Sequence, residues 1–270
     1  MKNQFLNRII AYKRQEVYQK AQSLPMRALK RMLLSQTFPV RSLRNKLESD
    51  PRFHFICEIK KASPSKGIIQ LPCHPVDQAQ DYLEGGASAI SVLTDARFFR
   101  GELYDLSSVR RHVPIPVLRK DFILDAYQVY ESRLAGADLI LLIATILPTR
   151  TVDHLSGLAR ELGMEVLLEV HHPEDISRIP PKTDHIILGI NNRNLDTFQV
   201  DVEHAFRVKP LLPAHLPVIS ESGISTPKVC RRLHQSGFRG ALIGEALMRT
   251  PQPGQLLQRF QQEVNDANKT

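Results

Sequence analysis

The chain has 270 residues, 42% of them hydrophobic and 24% charged, an ordinary globular balance with length for one large α/β domain or two small ones. Its formal charge of +8 is uneven: residues 1–46 hold 11 of the 36 Lys and Arg against a single acid, Glu16, a formal +10 that leaves about −2 on the remainder, which argues against a nucleic-acid groove in the main domain. No apolar run approaches the roughly 20 residues that cross a bilayer, and the start MKNQFLNRII lacks the apolar segment and cleavage site of a secretory signal, so a soluble cytoplasmic protein without a membrane partner is expected. Cys57, Cys73 and Cys230 are odd in number and far apart, which suggests small buried hydrophobes and neither a disulfide framework nor a CxxC metal pair.

In chain order, residues 1–50 read as an N-terminal helical extension, with LNRIIAYKRQEVYQKA as a first helix, a break near Pro25 and a second helix around RSLRNKLES. Two readings of it stand: a cover over a barrel mouth that draws in an anion, or a solvated packing helix. From residue 53 onward short apolar runs recur as FICEI, AISVL, PVL, LILLI, VLLEV, IILGI, PVIS and ALIG. Between them, DQAQDYLEGGA, DAYQVYESRLAGA and TRTVDHLSGLARELGM place apolar residues three or four apart and finish near Gly. Strand and helix alternate, as parallel pairing requires. Eight such units without a GxGxxG after the first strand favour a closed (β/α)8 TIM barrel over an open doubly wound sheet. The expected domains are the extension, 1–50, and the barrel, 51–270.

A parallel barrel does its chemistry where its strands end. Side chains alternate faces along a strand, so Glu58 and Lys60 in FICEIKKASPSKG point together into the barrel, with Cys57, Ile59 and Lys61 outward. IPVLRKDF delivers Lys120, MEVLLEVHH delivers Glu169, and IILGINNRNL adds Asn191 and Arg193. Structural salt bridges are the alternative for these charges, because ionisable groups near a core are kept only when paired or used. SESGIS and LIGEAL place Gly223 and Gly244 before the last helices, where backbone N–H groups can cradle phosphate; each glycine alone could be a tight turn. His171 and His172 match no zinc spacing and are read as loop residues, with no metal expected. The set points to acid–base chemistry on a sugar phosphate. Buried lysines should have lowered pKa values and buried carboxylates raised ones unless they pair.

The stretches EIKKASPSKG, ISVLTDARFFRGELYDL, PVLRKDFILDAYQVYESRLAGADLILLI, GMEVLLEVH, LGINNRNL, ISESGI and ALIGEALM, in this order and spacing, closely resemble the indole-3-glycerol-phosphate synthase family over nearly the whole chain. The resemblance implies a carbon–carbon lyase of tryptophan biosynthesis, without cofactor. Its substrate would be 1-(2-carboxyphenylamino)-1-deoxyribulose 5-phosphate, which closes the indole ring with loss of CO2 and water. It implies Lys120 as general acid, Glu169 as its partner in dehydration, Glu58 and Asn191 as orienting groups, and Lys60 as an anion contact or second acid. It assigns Ser63 and Arg193 to the anthranilate carboxylate, Phe99, Phe122 and Leu141 to its ring, and Ser222, Gly223, Gly244 and Glu245 to phosphate. The three ring contacts could equally be core packing. Family members often carry Ser or Thr where Glu245 stands, so its side chain should turn away from the dianion. The same resemblance favours a lid role for the extension.

Two other readings are kept open. Phosphoribosylanthranilate isomerase, a phosphate-binding barrel, would need Cys57 inward, and a nucleic-acid-binding protein would use residues 1–46 as an arm. The expected partner is an anionic sugar phosphate, with no nucleic acid, and the expected state a monomer or weak homodimer.

Overall fold

The computed structural model describes residues 4–39, 41–195 and 197–265. The chain begins with α1 (Gln4–Ser23), α2 (Met26–Leu34) and α3 (Leu43–Ser49), then enters β1 (His54–Ile59) and a small antiparallel ladder of β2 (Ala62–Ser63) with β3 (Gly67–Ile68). Next come α4 (Pro75–Glu84), β4 (Ala89–Leu93), α5 (Ala96–Phe99), α6 (Leu103–His112), β5 (Val117–Lys120), α7 (Ala126–Leu134), β6 (Leu139–Ile143), α8 (Thr149–Glu161) and β7 (Glu165–Val170). β8 (Ile186–Asn191), α9 (Glu203–Val208), β9 (Val218–Glu221), α10 (Pro227–Gln235), β10 (Gly240–Ile243), α11 (Glu245–Met248) and α12 (Pro253–Asn265) follow. Eight strands close a parallel barrel in the order β1, β4, β5, β6, β7, β8, β9, β10 and back to β1. This is a (β/α)8 TIM barrel.

The alternation read along the strands holds in the barrel wall. Ile56, Leu118, Leu141, Leu167, Ile187, Ile219 and Leu242 fill the interior, while Cys57, Ile90, Ile140, Val166, Leu188 and Ala241 face the surrounding helices in a separate core layer. A period of two makes a strand buried on both faces serve both layers at once. The expected alternation breaks once: between β7 and β8 the chain makes only a 3-10 turn over Pro173–Arg178, because Pro180 and Pro181, just past Ile179, lack the N–H groups that a longer helix needs.

The N-terminal residues divide their work in a way the sequence reading did not foresee. Pro25 does end the first helix, but it also caps α2 at φ −61° and ψ 147°, the fixed φ that favours a helix start. At one end of the barrel, α3 inserts Leu43 and Leu47 among the interior residues. Its cap, Ser42, accepts from Asn45 N–H at 2.9 Å, and Glu165 at the start of β7 takes the Leu43 and Arg44 N–H groups at 3.0 and 3.1 Å. At the other end, α1 brings Phe5, Leu6 and Ile9 against the strand-end loops. Lys13 of α1, only 1% exposed, lies 2.8 Å from Asp95 and 2.9 Å from Asp121. Burial opposes its charge, yet Asp121 and Asp95 hold its pKa above the ordinary lysine value. Asp121 also meets the buried Arg119 at 3.1 Å, so α1 is tied to the strand that carries Lys120. Some of the basic charge at the start of the chain is therefore spent inside the fold.

Candidate active site

At the C-terminal ends of the strands lies a cavity of about 810 Å³. It is lined by the predicted Glu58, Lys60, Lys120, Glu169, Asn191, Arg193, Phe99, Phe122 and Leu141, and also by Ser222, Gly223, Gly244 and Glu245. Ser63 stands apart, lining a smaller adjoining space under α1 together with Lys60 and Arg193. The strands bring together residues far apart in sequence because their register is fixed: Leu93 pairs with Lys120, Ile143 with Glu169, and Asn191 with Glu221.

Lys120 occupies the centre. Its Nζ lies 2.9 Å from Glu169 Oε2 and 2.7 Å from Glu221 Oε2, and both carboxylates have side chains only 2% exposed. Burial by itself would lower the lysine pKa, but Glu169, Glu221 and Glu58 offset it and hold the value above the ordinary one. Of the two partners, Glu169 is raised by burial but lowered further by Lys120 and His171, so it stays ionised. Burial together with the nearby Glu169 charge outweighs Lys120 at Glu221 and lifts it to about 7. Two carboxylates on one ammonium thus titrate apart, as like charges in a dry site must.

The space for the Glu221 and Glu58 carboxylates is made by two glycines. A Cβ at Gly189 would sit 2.1 Å from Glu221 Oε1, and one at Gly244 would sit 2.5 Å from Glu58 Oε1. Glu58 in turn pairs with Lys60. Asn191 accepts the Arg193 N–H at 2.9 Å, which turns the chain as it leaves β8, and Arg193 donates to the Phe198 carbonyl at 3.1 Å and to Ser65 Oγ at 3.3 Å. Phe99 and Phe122 stand with ring centroids 6.3 Å apart, tilted by 41°, forming an apolar wall beside Leu141. Across the cavity, Ser222 at φ +66° and Gly223 at φ +78° curl the chain after β9, on the strand next to the one that leads into α11. The Glu245 side chain is engaged by Arg249 at 3.1 Å and lies 3.7 Å from Lys66, so the carboxylate is balanced by two cations that also line the cavity.

Several functional candidates escaped the sequence reading. Glu221 obeys the same parity as Glu58, since it follows the inward Ile219 by two residues, and that signal would have found it. His171 follows β7 directly, but its ring is buried and its Nε2 lies 2.8 Å from Glu169 Oε1, a carboxylate contact that metal-ligand spacing does not signal. Lys66 and Arg249 carried no signal beyond charge. Among the described residues no group of three His, Cys, Asp or Glu is arranged to hold a metal ion. Cys57 is fully buried in the outer layer, with its thiol pKa pushed up by burial, so the inward cysteine that the isomerase reading needs is not there.

Acid–base groups facing a curled backbone cradle at the strand ends define an enzyme of the (β/α)8 barrel class. A family model described as Indole-3-glycerol phosphate synthase matches residues 6–260. Curated relatives carrying that name include one from Bacteroides thetaiotaomicron, 46% identical over 94% of this chain and 96% of its own, and one from Polaromonas naphthalenivorans, 44% identical over 92% and 95%. The structure of tryptophan synthase subunit alpha from Legionella pneumophila superposes with a TM-score of 0.61 at 16% identity, over 83% of this chain and 97% of that one, which is a likeness of fold. The chain belongs to the indole-3-glycerol phosphate synthase family.

Proposed function

We propose that this cavity closes the indole ring of 1-(2-carboxyphenylamino)-1-deoxyribulose 5-phosphate, releasing CO2 and water to give indole-3-glycerol phosphate. The observation that carries the reading is the Lys120 ammonium held between Glu169 and Glu221, with an aromatic wall on one side and a backbone cradle on the other. The anthranilate ring lies against Phe99, Phe122 and Leu141, and its carboxylate meets Arg193 and Lys60, with Ser63 alongside; a planar guanidinium suits a planar anion. The phosphate takes backbone N–H groups of Ser222, Gly223, Gly244 and Glu245, while the Glu245 side chain stays with Arg249.

In this pose the ring carbon bearing the carboxylate attacks the ketose carbonyl, and the carbonyl oxygen takes a proton from Lys120. A raised lysine pKa does not forbid that step, because an alkoxide forming in a dry site is far more basic than an amine. Loss of CO2 then restores the aromatic ring. Dehydration follows: Lys60, as second acid, protonates the departing hydroxyl, and ionised Glu169 takes the proton lost from the adjacent carbon. Glu58 and Asn191 orient the sugar hydroxyls and Lys60.

We read residues 1–50 as an extension serving the barrel of residues 51–270, with α1 as a cover over the site. We place the enzyme in the cytoplasm, as a monomer or weak homodimer with no nucleic-acid partner and no cofactor; no helix among the described residues is long and apolar enough to cross a membrane. The deciding experiment mixes purified protein with the substrate in chelator-treated buffer and follows indole fluorescence. Product formation is expected; folded protein that makes none, but isomerises phosphoribosylanthranilate, would overturn the assignment.

A further inference from the structure

Resting on that reading of the site, the overall reaction has a proton balance that the main cavity does not meet by itself. The substrate carboxylate leaves as neutral CO2 and the carbonyl oxygen leaves as water, so each turnover consumes one proton. Dehydration returns as many protons to the protein as it takes. Lys120 gives up its proton in the condensation, before dehydration has put one on Glu169, so at that stage the proton that reloads the amine comes from solvent; the later loss from Lys60 and gain on Glu169 cancel.

A second, polar cavity of about 250 Å³ lies beside the main one, and His171, His172 and His204 line it. His171 separates this space from Glu169. Its Nε2 lies 2.8 Å from Glu169 Oε1, and the other oxygen of the same carboxylate, Oε2, lies 2.9 Å from Lys120 Nζ. A continuous chain of hydrogen bonds thus runs from the second cavity through His171 and Glu169 to Lys120. We propose that His171 is the proton relay that reloads Lys120 from solvent through this second cavity. A proton passes from water in that cavity to the His171 ring, the Nε2 proton passes to Glu169, and Glu169 hands it to the neutral Lys120 amine; each bond to hydrogen that breaks is matched by one that forms, and the net change is one proton taken from water.

The surroundings suit a ring that both accepts and gives. Asp175 Oδ2 takes the backbone N–H groups of His171 and His172 at 2.9 and 3.0 Å, which fixes the turn and leaves the His171 ring free for Glu169. The His204 ring bonds the His171 backbone, and burial holds the His204 pKa below the ordinary value, with Arg207, His171 and His172 adding to the lowering. At the inner side of the ring, the Glu169 carboxylate beside Nε2 draws the proton inward. His171 touches no reacting atom and acts through Glu169.

The test compares wild type, His171→Ala and His171→Asn in the indole fluorescence assay across pH, with and without added imidazole. For His171→Ala, kcat should fall at least about tenfold, within the range of lost proton-transfer catalysis, while KM stays within about threefold. Imidazole should restore kcat of that variant in a saturable way and leave wild type unchanged. Asn can still bond Glu169 but cannot carry a proton, so His171→Asn should remain slow. Wild-type turnover in either variant, or an alanine deficit that imidazole leaves untouched, overturns the relay. If His171→Ala fails to fold, the Asn variant decides by its turnover alone. A wild type that forms no indole product refutes the reaction itself, whereas an active wild type with equally active variants refutes only the relay.

Discussion

Replacing Lys120 by Met removes an ammonium and leaves the shape of the side chain nearly intact. Glu169 and Glu221, each 2% exposed, then face one another with His171 as the remaining ring partner of Glu169. Breaking a buried pair in this way costs about 3–5 kcal/mol when the abandoned charge stays ionised. These carboxylates have an escape, because like charges that share a dry site take up a proton. Their folded-state pKa values should rise, so the folded chain binds more protons than the unfolded chain above the ordinary carboxylate range, and stability falls as pH rises through that window. At roughly 2–4 °C of melting temperature per kcal/mol, Lys120→Met should melt roughly 6–20 °C below wild type near pH 8.5 and lose less than about half of that near pH 5.5. Turnover should drop by roughly 10²- to 10⁴-fold, as for a lost general acid, with substrate binding mostly kept. Thermal melts at both pH values and steady-state kinetics supply the readings. A melting deficit equal at the two pH values would refute the argument about the carboxylates, and near-normal turnover would refute the role of Lys120.

Two other substitutions probe separate parts of the fold. Glu221 is raised to about 7, so its folded form favours the neutral acid, and the stability this contributes is fully present below the ordinary carboxylate range and lost as pH rises through about 7. Glu221→Gln should therefore show a flatter dependence of urea midpoint on pH between about 5 and 8 than wild type; an unchanged slope would count against the raised value. Leu47→Ala empties a fully buried position at the end of the barrel away from the cavity and should cost about 2–5 kcal/mol while leaving KM unaltered. A change in KM without loss of stability would show that α3 is no plug.

The sequence by itself determined the barrel and the inward residues of its wall. Both follow from local rules: strands and helices alternate because parallel pairing needs a crossover, and Glu58 and Lys60 face inward because side chains alternate along a strand. The same rule places Glu221, two residues after the inward Ile219, inside the barrel as well. The seven motif stretches carried the family in the same local way. What only the tertiary structure decided are relations between distant residues. Lys120 finds Glu169 and Glu221, 49 and 101 positions away, and whether two carboxylates on one ammonium rise or fall in pKa depends on which of them His171 also bonds. Charge counting read the N-terminal residues as a basic face, but no count along a chain reveals that Lys13 ends between Asp95 and Asp121 or that α3 plugs one end of the barrel while α1 lies across the other. Period and spacing act over a few residues, whereas burial, electrostatic field and cavity shape are set by whatever the closed barrel brings within a few ångströms, and only the folded chain specifies that.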